Sequence, residues 1–194
     1  SAINCCQKAI QIDPNYADAH NNLGAALREL GEPQKAMDCY QKAIQIQPKL
    51  ESAHTNLGAV FQELGESYKA INCYQKLSQM QSNPGNAHQH LGGLYVTLGD
   101  IQQAISSYQE ALKYEPENLV YYYHLIDLKK EILDKKLKNK INNILKNSNC
   151  TKKNIAYGNF LLSKYEQKNK NYKKEFDYLL KGHRFYFETE ESKN

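Results

Sequence analysis

Apolar residues recur along this chain in steps of three and four: Leu23, Leu27 and Leu30, then Leu57, Phe61 and Leu64, then Leu91, Tyr95 and Leu98. Such steps line one face of an α-helix, so each triplet predicts an amphipathic helix. A second stripe follows each one: Ala36, Tyr40 and Ala43; Ala70, Tyr74 and Leu77; Ala104, Tyr108 and Ala111. Between the stripes stand Gly31, Gly65 and Gly99, suited to the left-handed turn that ends a helix. An acid comes next, Glu32, Glu66 or Asp100, which suits the positive start of the following helix. Each unit therefore predicts a helix hairpin, and equivalent residues lie 34 positions apart.

The repetition is literal. NNLGAALRELGEPQKAMDCYQKAI, which starts at Asn21, returns as TNLGAVFQELGESYKAINCYQKLS from Thr55 and as QHLGGLYVTLGDIQQAISSYQEAL from Gln89. The opening SAINCCQKAIQIDP matches residues 35–48, so the chain starts inside another copy. A fixed period of this length predicts units stacked in a row. The predicted organisation is the second helix of a truncated repeat over 1–16, three repeats over 17–50, 51–84 and 85–118, and divergent helical hairpins over 119–190. In the last segment Val120, Tyr123, Leu125 and Leu128, then Leu137, Ile141, Ile144 and Leu145, keep helical spacing. A final pair is traced in IAYGNFLLSKY and YKKEFDYLLKGHRF, with a turn over 169–171 and Phe176, Leu179 and Gly182 on one face.

Glycine inside a helix costs about 1 kcal/mol relative to alanine, so Gly24, Gly58 and Gly92 need a reason to recur. Close approach supplies one: Ala36, Ala70 and Ala104 face them from the second helix, and Tyr40, Tyr74 and Tyr108 fill the space toward the next unit. Pro14, Pro48 and Pro116 end the second helices, lacking the amide hydrogen that would continue them. Pro84 stands two residues late, which predicts that the hairpin before it runs on slightly longer.

Leu-Gly in the first helix, Ala, Tyr and Ala in the second, and a closing proline resemble the tetratricopeptide repeat. The resemblance covers residues 1–118 and implies an all-α, right-handed superhelical solenoid of helix hairpins. His20, His54 and His88 stand where that family often carries a large aromatic. NNLG and TNLG are similar to the repeats of O-GlcNAc transferases. The terminal helices look like the segment that joins such repeats to a sulfotransferase module in some bacterial proteins, and on that likeness an enzyme would lie beyond Asn194.

Composition narrows the functional classes. Hydrophobic residues are 41% and charged residues 24%, with no apolar run long enough for a membrane span and no secretory leader, so a cytoplasmic location is expected. Cys5, Cys39 and Cys73 recur at the repeat spacing, which predicts reduced thiols in place of a disulfide framework. Residues 1–118 carry 8 Lys and Arg against 12 Asp and Glu, net −4, whereas residues 119–194 carry 17 against 9, net +8. No GxxxxGK[ST], HExxH or GxSxG occurs, so no catalytic residue, metal or cofactor is expected.

What remains is a surface. In tetratricopeptide proteins the first helices line the inner groove, where an extended peptide lies. One stripe there reads Asn22, Asn56, His90 and His124. An Asn amide both donates and accepts, so it can pair with any peptide backbone. Contacts of this kind occur in O-GlcNAc transferase-like arrays, and the resemblance implies them for Asn22 and Asn56; satisfying neighbouring backbone groups is the other role that fits. Asn21, Thr55, Gln89, Arg28 and Gln62 flank the stripe. The lysines of a clamp for acidic chaperone tails are absent, so an acidic carboxyl terminus is not the expected ligand.

Three functions compete at this level. The first is a scaffold that binds an extended peptide or protein segment. The second is the non-catalytic, substrate-recruiting front of a larger sulfotransferase or glycosyltransferase. The third is nucleic-acid binding through the lysines between Lys129 and Lys174, a run that Glu131, Asp134 and Glu166 interrupt. The half-repeat at the start leaves Ile3, Cys6 and Ile10 without their first helix. Further sequence before Ser1, or self-association at that end, is therefore expected.

Overall fold

A computed structural model describes residues 2–129 and 133–191, so Ser1 of the first predicted segment and Lys130 and Glu131 of the basic run lie outside the described residues. Among the described residues every regular element is an α-helix. In chain order they are α1 (Ala2–Ile12), α2 (Ala17–Glu29), α3 (Pro33–Ile46), α4 (Glu51–Glu63), α5 (Ser67–Met80), α6 (Gly85–Thr97), α7 (Ile101–Tyr114), α8 (Leu119–Lys129), α9 (Lys135–Leu145), α10 (Lys152–Lys168) and α11 (Tyr172–Glu191). The chain forms two compact units, the first running to Ser107 and the second starting at Tyr108 inside α7.

In the first unit the hairpin turns follow from glycine. Gly31 and Gly65 sit at φ of 77° and 74°, where a side chain would strain the backbone. Their amides donate to Arg28 O and Gln62 O, and the next amides, of Glu32 and Glu66, reach back to Leu27 O and Phe61 O. These two bonds occupy carbonyls that the ending helix would otherwise leave unpaired. Asp100 and Gly99 repeat the pattern after α6. Helices α3, α5 and α7 each span 14 residues, so the helix before Pro84 is not extended. The late proline instead becomes the N-cap residue of α6, and the register of 34 survives.

The core of this unit is a row of buried side chains, Tyr40, Val60, Tyr74, Leu77, Leu91 and Leu94 among them. Here the close-approach reading needs correcting. Each tyrosine covers the glycine of its own hairpin: a Cβ at Gly24 would lie 2.7 Å from Tyr40 Cε1, and one at Gly58 would lie 2.9 Å from Tyr74 Cζ. The glycine makes room for a ring, not only for a backbone. Histidine fixes the entry to the first helices, since His20 Nε2 is 3.0 Å from Pro14 O and His54 Nε2 is 2.9 Å from Pro48 O.

The second unit keeps the devices and changes the residues. Tyr122 takes the place of those histidines and its hydroxyl donates to Pro116 O at 3.1 Å. Asn154 ties the starts of α8 and α10 together, accepting from Leu119 N at 2.9 Å and donating to Glu117 O at 3.0 Å. The turn at 169–171 forms as read, with Lys170 at φ 56° where the earlier copies place glycine. A second core gathers Leu119, Leu133, Ile141, Ile144, Leu161 and Leu162. Gly182 is buried against Phe160, but Phe176 is exposed, so these two do not share the inner face of α11. Lys138 reaches the buried Glu166, whose Oε1 lies 2.6 Å from the ammonium, and Asn171 donates to the other oxygen at 3.1 Å.

Candidate interaction surface on the first helices

The residues singled out by sequence separate into engaged and open groups. Asn22 is exposed on α2. Asn56 on α4 is half-buried, and its amide donates to Asn21 Oδ1 at 3.0 Å. Asn21 is only 7% exposed, so the flanking residue turns out to be the anchor and Asn56 the group it orients. One N–H and the carbonyl oxygen of Asn56 remain for another partner. Sequence reasoning missed this bond because it joins residues 35 apart, one step off the repeat period.

Beside this pair, Arg28 grips both carboxylate oxygens of Glu63 across the same two helices, its Nε lying 3.0 and 3.1 Å from them. The guanidinium pKa is raised, first by that hydrogen bond and then by the charge of Glu63. Arg28 is therefore committed to a neighbouring hairpin. Thr55 is also engaged, donating to Glu51 O at 2.9 Å within its own helix. Gln62 is exposed and Gln89 half-buried.

The two histidines of the stripe behave differently from the asparagines. His90 stacks on Tyr74 with ring centroids 4.5 Å apart and planes within 6°. Tyr74 is thereby held between Gly58 of its own hairpin and the first helix of the next. Burial pushes its hydroxyl pKa up to about 12. His124, in the second unit, stacks likewise on Tyr108 at 4.9 Å. Where Asn56 bridges to the preceding hairpin through a hydrogen bond, His90 and His124 do so by ring stacking.

Burial lowers the pKa of His124, Lys153 and Lys164 push it further down, and Asp127 opposes them. The folded state thus favours the neutral ring. Stability from this source is complete above the unfolded value of about 6.5 and falls as pH drops below it, because the unfolded chain then binds the extra proton. Chemical denaturation from pH 7.5 to 5 is expected to show this loss in the second unit. His124→Gln should flatten the dependence; an unchanged slope would remove His124 as its source.

Burial also acts on the cysteines. Cys39, Cys73 and Cys150 all have thiol pKa values raised, first by burial, which disfavours the reactive thiolate. Among the described residues no three His, Cys, Asp or Glu are grouped to hold a metal ion. No described helix is long and apolar enough to cross a membrane.

Comparison with known families agrees with this geometry. Tetratricopeptide repeat models match residues 1–31, 17–50, 51–84 and 85–118. The chain belongs to the tetratricopeptide repeat family. It is an all-α helical-repeat solenoid, and repeats of this family serve as protein-interaction scaffolds; the matched models describe a repeat and not a catalytic domain. No curated protein gives a match. Among solved structures, PilF of Pseudomonas aeruginosa is similar with a TM-score of 0.71 at 19% identity, over 93% of this chain and 81% of that one. MamA gives 0.62 at 21% over 87% and 89%, and YrrB, described as a tetratricopeptide protein with an unusual peptide-binding site, gives 0.59 at 16% over 93% and 91%. These likenesses concern the fold.

Proposed function

We propose that the first helices of the first unit hold an extended polypeptide, with Asn22 and Asn56 pairing to its backbone. The observation that carries this reading is the Asn21–Asn56 hydrogen bond, which fixes one amide in place beside a second, exposed one. Amides held by their own scaffold lose less side-chain freedom on binding. Arg28 and Asn21 position α2 against α4. His90 closes the interface to the next hairpin. Because amides match any peptide backbone, the surface reads an extended shape more than a particular side chain.

The test starts from a peptide selected by display against the full chain. Changing Asn22 and Asn56 to Ala together should weaken it about tenfold, the effect of one or two hydrogen bonds. Thermal unfolding of the variant checks that loss of the Asn21 partner has not opened the hairpin. An unchanged Kd in a folded variant contradicts the reading.

A further inference from the structure

The second unit holds a hollow of about 300 Å³ that only rings line: Tyr123 of α8, Tyr157 and Phe160 of α10, and His183, Tyr186 and Phe187 of α11. Several of its walls stand nearly at right angles. Tyr123 meets Tyr157 at 78° with centroids 5.3 Å apart, Tyr157 meets Phe160 at 83° and 5.9 Å, and Tyr186 meets Phe187 at 80° and 6.2 Å. Walls set this way cannot all turn their edges to the space they enclose, so ring faces, the negative side of the quadrupole, line part of it. Alongside lies a second hollow of about 330 Å³, which shares Tyr123, Phe160 and His183 with the first and adds Lys164 and Glu175. Glu175, Leu179, His183 and Tyr186 fall within about 80° of one another around α11, so one helix face runs from the carboxylate to the rings over about 16 Å.

Two observations say which ligand chemistry suits these rings. The chain's own ammonium groups already sit on tyrosines in this unit: Lys164 Nζ lies 4.3 Å from the Tyr123 centroid, and those of Lys138 and Lys140 lie 4.2 and 4.8 Å from Tyr165 and Tyr122. The charge at the hollows also favours a cation. Lys164 and Glu175 are the only lysine and acid among the residues that line them. Lys164 is paired with Asp127, whereas among the described residues no basic side chain pairs with Glu175. Residues 119–194 are basic as a whole, yet the uncompensated charge lining these hollows is negative. An anion would be repelled by Glu175, and a neutral apolar group would make no use of it.

We propose that these rings form a cage for an alkylammonium cation, an N-methylated lysine side chain or a choline group, with Glu175 balancing its charge from the adjoining hollow. Methyl groups on the nitrogen spread its charge over an apolar surface, so the cation gives up little hydration on entering a ring-lined space and gains attraction to the ring faces.

The probe is choline, set against its neutral carbon isostere dimethylbutanol, in a 15N NMR titration of the full chain at constant ionic strength. The backbone signals of Phe160, His183 and Tyr186 should move with choline, with a Kd of about 1–10 mM, and the isostere should bind about tenfold more weakly. Tyr186→Leu keeps apolar bulk and removes a ring at a position 36% exposed; it should weaken choline about fivefold and leave the isostere unchanged. Glu175→Gln should weaken choline by a similar factor at low salt and by less near about 1 M salt. Tyr68→Leu, which removes a lone ring 78% exposed on α5, should change neither. A wild-type chain whose signals stay still at about 50 mM choline, or that binds the isostere as tightly, overturns the cage. So does a folded Tyr186→Leu variant that binds choline as well as wild type. A short peptide carrying trimethyllysine that binds more tightly than choline assigns the cation to a polypeptide, and phosphocholine vesicles that do so assign it to a lipid headgroup.

Discussion

Gly58→Ala is expected to destabilise the first unit by about 2 kcal/mol, although alanine is the better helix former by about 1 kcal/mol. The new methyl would lie 2.9–3.1 Å from three ring atoms of Tyr74. The ring cannot retreat, because it is fully buried and His90 stacks on its other side at 4.5 Å. Insertion into a packed core costs about 1–3 kcal/mol, and more where neighbours cannot give way. The exposed Gln62→Ala on the same helix should change stability by less than about 0.5 kcal/mol. Urea unfolding checks both. If Gly58→Ala proves as stable as the parent, the tyrosine-on-glycine contact does not set the spacing of the hairpin.

Lys138→Met is expected to cost the second unit about 2–3 kcal/mol, because it leaves a buried carboxylate without its cation. Glu166 is 4% exposed, whereas the Lys138 side chain keeps 25% of its surface and lies 4.2 Å over the Tyr165 ring. This asymmetry decides which partner matters more. Glu166→Gln leaves an ammonium that water and Tyr165 still solvate, and the amide can keep accepting from Asn171, so a loss of about 1 kcal/mol is expected. Denaturant midpoints for the two variants supply the check. Equal losses would mean that the pair acts as a surface ion pair.

Much of this was legible from residue spacing, and for a physical reason. Helix stripes and hairpin glycines act through local geometry, so their positions alone marked two helices and a turn in each repeat, where α2 to α7 lie. The turn at 169–171 was legible as well, although Lys170 stands in the glycine place. Contacts one step off the period were not. The bonds from Asn56 to Asn21 and from Arg28 to Glu63 each span 35 residues and depend on how one hairpin leans on the next. Reading Asn21 and Arg28 as groove residues therefore missed that both are already engaged with the neighbouring hairpin. The exposed face of α11 was misread for a related reason. Phe176 and Gly182 suit one apolar face by composition, and only packing against Phe160 shows that glycine turns inward while phenylalanine does not.

The claim that the first helices form the binding wall is tested most directly by the side-chain amide signals of the asparagines in a 15N NMR titration with a selected peptide. The signals of Asn22 and Asn56 should move as peptide is added, while that of Asn72, exposed on the second helix α5, stays in place. Movement of Asn72 with Asn22 and Asn56 unshifted would contradict the account.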